Sequence, residues 1–321
     1  MPHRNFVLTA SLTCASALMC GAASSQNYPI KTIRFMVSSP SSASDISARI
    51  LAQGMAPNLG QPVVVENRPG ILAVETTVKA PPDGYTLLLY GSLVWLLPYM
   101  RDIVPWDPIR DFVPVSLTST APNLVVVHPS LPVKSIKDLV LLAKARPGQL
   151  NYSLGSRGAA THLAVELFKS MAGVNIVGIP YKGNVPGLNA LLSGEVQVLF
   201  PTSGSGGPYV KSGRLRALAV TSSGPSALFP GLPTVAAGGL PGYESVTLLG
   251  VMVRATTSEA IIKTLNQEVV RIISRPDVRE KFFNTGAESV GSTPEEFARQ
   301  ITSEMALLGK VIKDVGIRAD E

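Results

Sequence analysis

Apolar residues arrive along this chain in short runs broken by Gly, Pro and Ser, and between the runs they recur at helical spacing. Eight runs, 33–37, 63–65, 86–90, 123–127, 149–152, 176–180, 196–200 and 216–221, are short, apolar and rich in β-branched residues. They predict buried strands. Between them, 46–55, 136–143, 163–171 and 187–192 repeat their apolar residues with the period of a helix. Strand and helix in alternation predict an α/β protein with parallel sheets covered on both faces. After a further apolar strand over 245–253 the character changes, and helices are expected from Ser258-Glu259 to Ser274, over 276–283 and over 293–315. Thr293-Pro294-Glu295-Glu296 places a cap, a first-turn proline and acids at the positive end of the last helix dipole. A helical end that wraps back onto the first unit predicts two lobes: 27–119 with 247–321, and 120–246, joined by two crossovers.

The strand at 33–37 runs into the small-residue turn Ser38 to Ser44, which opens a helix at Asp45. A strand feeding a helix through Ser, Ala and Pro leaves unpaired amides at the positive end of a dipole, a seat for an anion.

The N-terminus changes the setting. Arg4, an apolar run from Phe6 to Met19 and small residues at 22–25 read as a signal peptide over 1–26, cleaved near Gln26. The run is too short to span a bilayer, which takes about 20 apolar residues. Met19 before Cys20 is a poor match for lipoprotein processing. Both cysteines, Cys14 and Cys20, lie in this leader, so the mature chain has no thiol for a disulfide, redox centre or nucleophile. Removing the leader takes Arg4 and no acid, leaving 27 Lys+Arg against 22 Asp+Glu, a net charge of about +5. That excess favours small anions. The basic residues are scattered singly without interleaved aromatics, which argues against nucleic acid.

Enzyme signatures fail on inspection. Leu154-Gly155-Ser156-Arg157-Gly158 has Leu where a nucleophile elbow needs its first glycine. The mature chain has two histidines, His128 and His162, both expected to be structural, and no zinc-ligand spacing. Gly204-Ser205-Gly206-Gly207 runs into Pro208, so a dinucleotide fingerprint fails in spacing and context. No catalytic residue, metal or cofactor is expected.

Longer strings carry a resemblance. Ser38 to Arg49, Gly60-Gln61-Pro62-Val63-Val64-Val65-Glu66-Asn67-Arg68-Pro69-Gly70 and Ala80-Pro81-Pro82-Asp83-Gly84-Tyr85-Thr86-Leu87 set the pattern, and Pro105-Trp106-Asp107-Pro108, Pro180-Tyr181-Lys182-Gly183 and Gly213 to Val220 continue it. Together they resemble the extracytoplasmic solute receptors of tripartite tricarboxylate transporters, the Bug receptors, over essentially the whole mature chain. The resemblance implies a two-lobe periplasmic-binding-protein fold of the type II, Venus flytrap kind with a helical C-terminal segment. It also implies a soluble periplasmic monomer that captures a small organic carboxylate between its lobes and delivers it to membrane permease subunits. A sensor or scavenger without a permease is the alternative, and a periplasmic hydrolase a distant third.

Carried over by position, the implied first-lobe seat is Ser41, Ser42, Ala43, Ser44 and Asp45, with Asp45 capping the helix and bracing the loop. The implied second-lobe loop is Gly155, Ser156, Arg157, Gly158, Ala159, Ala160 and Thr161, leading into a helix from His162. Further wall candidates are Tyr90, Gly91 and Ser92 after the third strand, Tyr181, and Thr202 with Ser203. Arg157 can reach into the cleft or point to solvent, and Tyr181 can line the cleft or pack within its lobe. The chain departs from the family where Ser41-Ser42-Ala43 replace glycines and Ile71-Leu72 follow Gly70. Only glycine visits positive φ freely, so the first loop either avoids that region or carries about 1–2 kcal/mol of strain. The pocket is expected to be smaller or more apolar than usual in the family, and to suit a compact monocarboxylate, aromatic or amino-acid-like acid rather than citrate.

Overall fold

The computed structural model describes residues 28–319. The expected signal peptide lies outside the described residues. Two mixed sheets organise the chain, one of six strands and one of five.

The first sheet has the order β11-β4-β10-β3-β1-β2. It contains β1 (Ile33–Val37), β2 (Val63–Asn67), β3 (Thr86–Gly91), β4 (Phe112–Pro122), β10 (Val246–Arg254) and β11 (Glu288–Ser289). The second, β7-β6-β8-β5-β9, is contiguous in sequence. Its strands are β5 (Leu124–Val127), β6 (Leu150–Leu154), β7 (Ile176–Pro180), β8 (Val198–Leu199) and β9 (Arg216–Val220). The expectation of parallel sheets needs correction: β10 is antiparallel to both β3 and β4, and β5 to both β8 and β9. The reversal follows from the crossovers, since β4 carries the chain out of the first sheet and β10, its neighbour, brings it back.

Helices α1 (Ala43–Leu59), α8 (Glu259–Ile273) and α9 (Pro276–Asn284) cover one face of the first sheet, and α2 (Leu72–Val78), α3 (Leu93–Met100) and α10 (Pro294–Val315) the other. In α8, Ile262, Leu265, Val269, Ile272 and Ile273 form the buried stripe, each worth on the order of 1.5–3 kcal/mol. The second sheet carries α4 (Ile136–Ala145), α5 (Ala160–Ala172), α6 (Asn184–Ser193) and α7 (Ser203–Lys211). One apolar cluster runs through both units, from Leu88 and Trp95 through Leu308 to Leu163 and Phe168. The seam on the α3–α5–α10 side is therefore apolar.

Five elements depart from the sequence reading, the short β11 among them. β4 is the longest strand, yet its Ser116, Thr118 and Pro114 disguise it as loop. Its buried hydroxyls find partners, with Ser116 Oγ donating to the Ser292 carbonyl (3.0 Å) and Thr118 Oγ1 to that of Leu249 (3.1 Å). The glycine-rich 203–211 segment is helix α7, capped by Thr202. Its glycines are there for close approach, because a Cβ at Gly204 would stand 2.9 Å from the Thr285 carbonyl oxygen and one at Gly206 2.6 Å from Pro201. Helices α2 and α3 are also additional to those expected.

The crossovers are tied by one residue. Thr221 Oγ1 accepts from the Asn123 amide (2.7 Å) and donates to the Ser245 carbonyl (2.6 Å), fully buried between the two sheets.

Candidate functional site

At the end of β1 the chain turns through Ser38–Ser42 into α1. The helix begins at Ala43, two residues before the expected Asp45, and Ser42 is its cap, its hydroxyl accepting from the Asp45 amide at 3.2 Å. Ser38, Ser42 and Ser44 join their hydroxyls in a closed trio with 2.8–3.0 Å separations. Asp45 does brace the loop. It accepts from the Ser41 amide (2.9 Å), Asn67 Nδ2 (2.9 Å) and Arg49 Nε (3.2 Å). Burial pushes its carboxyl up, and the hydrogen bonds from Arg49, Asn67 and Ser41 together outweigh that and hold it below its ordinary value. Ser41 sits at φ 62°, so the glycine-poor loop takes the strained conformation instead of avoiding it.

In the second unit, β6 leads through 155–159 into α5, which starts at Ala160, two residues before the expected His162. Its cap, Ala159, has no side chain that can accept from the first-turn amides. Glycine at 158 is required twice over, by its φ of +74° and because a Cβ there would stand 2.4 Å from Met100 Sδ of α3; its amide donates to His162 Nδ1 at 3.0 Å. His162 also approaches Glu166 (3.8 Å), which Tyr152 and Lys169 hold, so this histidine has structural partners. Arg157 is exposed and forms no hydrogen bond or ion pair among the described residues, in line with its solvent-facing reading.

The expected site residues fall around separate cavities. A first cavity, about 250 Å³, is walled by Ala43, Ile46 and Ser47 of α1, Thr202 and Gly204 at the start of α7, Thr247 of β10, and Lys281 and Phe282 of α9. A second, about 270 Å³, lies on the other face of the first sheet and also touches Thr247. It brings together Gly91 and Ser92 from after β3 with Gly158, Ala159 and Ala160 from before α5, closed by Leu93, Leu96, Met100, Leu163 and Leu308. Thr161 lines a much smaller space with Ser153, Asn184 and Ser205. Ser41, Ser42, Ser44, Asp45, Tyr90, Gly155, Ser156, Arg157, Tyr181 and Ser203 line none of these three. Several have other work: Tyr90 OH donates to the Gly70 carbonyl (2.7 Å), Tyr181 OH to Glu195 (3.2 Å) and Ser203 Oγ to the Pro122 carbonyl (2.6 Å).

One wall residue escaped the sequence reading. Glu304 of α10 lines the second cavity and a further one of about 200 Å³ behind it. Its carboxylate accepts from Ser92 Oγ (2.9 and 3.0 Å) and from Trp95 Nε1 (2.7 Å). Burial pushes its pKa up to about 7, against the two donors that favour the charged form. A signal was present, because Phe297, Ile301, Glu304, Leu308 and Val311 follow one another at helical 4-3-4-3 spacing. A lone acid on an otherwise apolar stripe marks a position where burial alone does not choose the residue. Among the described residues no group of three or more His, Cys, Asp or Glu is arranged to hold a metal. No described helix is long and apolar enough to cross a membrane.

Comparisons with known proteins agree with this architecture. The family model described as "Tripartite tricarboxylate transporter family receptor" matches residues 47–317. Protein BugT of Bordetella pertussis is 35% identical over 311 residues, 95% of each chain. Among solved structures, R. palustris Rpa4515 with adipate superposes with a TM-score of 0.72 at 32% identity, covering 91% of this chain and 99% of that one. MatC from Rhodopseudomonas palustris with bound malate gives a TM-score of 0.67 at 26% identity, covering 89% of this chain and all of that one. The two-sheet architecture is thus the two-lobe fold of periplasmic binding proteins, and the chain belongs to the tripartite tricarboxylate transporter receptor family.

Proposed function

We propose that this chain is a non-catalytic periplasmic receptor, a monomer that closes its two lobes on a small organic carboxylate and passes it to the permease subunits of a tripartite transporter. The observation that carries this reading is the second cavity, whose walls come from both lobes: Ser92 and Met100 from one, Ala159 and Ala160 from the other. The uncapped first turn of α5 supplies amides and the positive end of a dipole to an acid there. The adipate and malate of the two solved relatives support an acid as the ligand class. We place the lobe boundaries at the two crossovers, with 27–119 and 247–321 forming one lobe and 120–246 the other. At about 270 Å³ the cavity suits a ligand smaller than a typical drug-sized one.

Calorimetry with a panel of mono-, di- and tricarboxylates, beside mass spectrometry of whatever co-purifies, tests the reading. Binding of an unchanged small acid with a fall in radius of gyration is the expected result. No binding across the panel, or chemical turnover of the bound acid, would refute it.

A further inference from the structure

The second cavity of an acid receptor is lined by an acid. Glu304 is its only charged wall residue, and the cavity behind it adds only Glu244, so neither space has a Lys or Arg among the described residues. By contrast the first cavity has Lys281 at its wall. A carboxylate has about four lone-pair positions, and Glu304 receives one indole N–H and one hydroxyl hydrogen. Removing a carboxylate from water without a cation is costly. The position falls on the apolar stripe of α10, where Leu or Ile would pack without that cost. Across the cavity stands the opposite chemistry, the first turn of α5 with Ala159 as a cap that offers no acceptor. An anion seat and a half-buried carboxyl thus share one small aliphatic chamber.

We propose that Glu304 recognises an ammonium group, so that the ligand is a small aliphatic amino acid with its carboxylate at the first turn of α5 and its amine on Glu304. This rests on the acid-receptor reading above and narrows it. Leu93, Leu96, Met100, Leu163 and Leu308 supply an apolar surround for an aliphatic side chain. The amine provides the missing donors to Glu304 and a charge of opposite sign.

The proton balance gives a second readout. Glu304, at about 7 when no amine is bound, is largely protonated at about pH 6, and pairing with an ammonium lowers its pKa, so binding there releases a proton. The other groups around it are few. Glu244 faces it from the crossover, His162 on α5 is engaged with Gly158 and Glu166, α3 carries only Tyr99 before Arg101, and Glu296, Arg299 and Lys310 of α10 are exposed.

The test is calorimetry of the intact mature protein with leucine against 4-methylpentanoate, the same skeleton without the amine, and with adipate as a plain acid. Measurements at about pH 6 in phosphate and in imidazole, and at about pH 8.5 in borate and in Tris, give the protons exchanged. Leucine is expected to bind about tenfold or more tighter than 4-methylpentanoate, and to release close to one proton at the lower pH and none at the higher. Glu304→Gln keeps the shape and the acceptor for Trp95, and should abolish both the preference and the release. The wild-type comparison stands even if that variant folds poorly. Binding of 4-methylpentanoate within about threefold of leucine would overturn the proposal. Proton uptake, with Glu304 donating to an acid, would overturn it too. Binding of adipate alone sinks this proposal and leaves the receptor reading intact. Binding of none of the three also sinks this proposal, and the receptor reading falls only if the whole carboxylate panel fails.

Discussion

Replacing Asp45 by alanine removes three acceptor contacts from the loop that enters α1, and the structure says which of them matter. Arg49 is mostly exposed, so water takes over its bonds at little cost, within the usual 0–1 kcal/mol of a surface pair. Asn67 Nδ2 keeps the Ser38 carbonyl (3.0 Å) as a second acceptor. The Ser41 amide has no second protein acceptor, but Ser41 is exposed, so water replaces part of this charge-assisted bond and its loss costs about 1–2 kcal/mol. Ser41 also holds φ 62° against about 1–2 kcal/mol of strain, and without Asp45 the loop relaxes and recovers part of it. The net loss is about 1–2 kcal/mol, a fall in Tm of roughly 2–3 °C for a chain of this size. Urea denaturation of wild type and Asp45→Ala, repeated with Ser41→Gly, forms a double-mutant cycle in which the two changes should be non-additive. A loss under about 0.5 kcal/mol, or strict additivity, would refute the bracing argument. The pH dependence follows in sign. The folded-state pKa is depressed below the ordinary 3.8, so this contribution is fully present above the unfolded value and is lost as pH falls through the folded one. Asp45→Asn should therefore lose stability at neutral pH and flatten the acid limb of the stability profile.

Gly158→Ala should destabilise by about 1–2 kcal/mol through its positive φ and displace Met100; Met100→Ala should relieve the contact and not the backbone strain, as denaturation of the pair would reveal. Thr221→Val strips the buried tie between the crossovers and leaves the Asn123 amide without its acceptor, for an expected loss of about 1–3 kcal/mol in urea denaturation. Thr293→Ala breaks the capping box in which the Thr293 hydroxyl and the Glu296 carboxylate serve each other's amides, costing about 1 kcal/mol by the same measurement.

The strands that pack apolar β-branched residues on both faces could be read from the sequence, as could the amphipathic tail helices, because there periodicity and burial agree. Elements were lost where packing overrules local preference. β4 puts Ser and Thr hydroxyls on buried carbonyls of its neighbours, and α7 accepts three glycines in its first five residues so that it can lie against Thr285 and Pro201. In the same way the chain order announced the two loops but not how they divide. Ala43 and Thr202 go to one cavity while Ser92 and Ala160 go to another, because the first sheet stands between them. Tyr90 and Ser203 look like wall residues until their hydroxyls are traced to carbonyls nearby. Glu304 was visible only as an interruption of a stripe, and its meaning depends on Ser92 and Trp95, some two hundred residues away in the chain.

The interleaving of β10 between β3 and β4 also sets the order in which the molecule is completed. All five strands of the second sheet lie between Leu124 and Val220, so that sheet has its full complement of pairs while the C-terminal third of the protein is still being synthesised. The first sheet begins earlier and finishes later. Until residues 246–254 emerge, β3 and β4 have no strand to join them, and α8 and α10 are not yet there to cover the two faces. The ribosome thus delivers a finished lobe inserted in an unfinished one, and the half-built sheet, with its open edges, is the part of a nascent chain that a chaperone would have to shield.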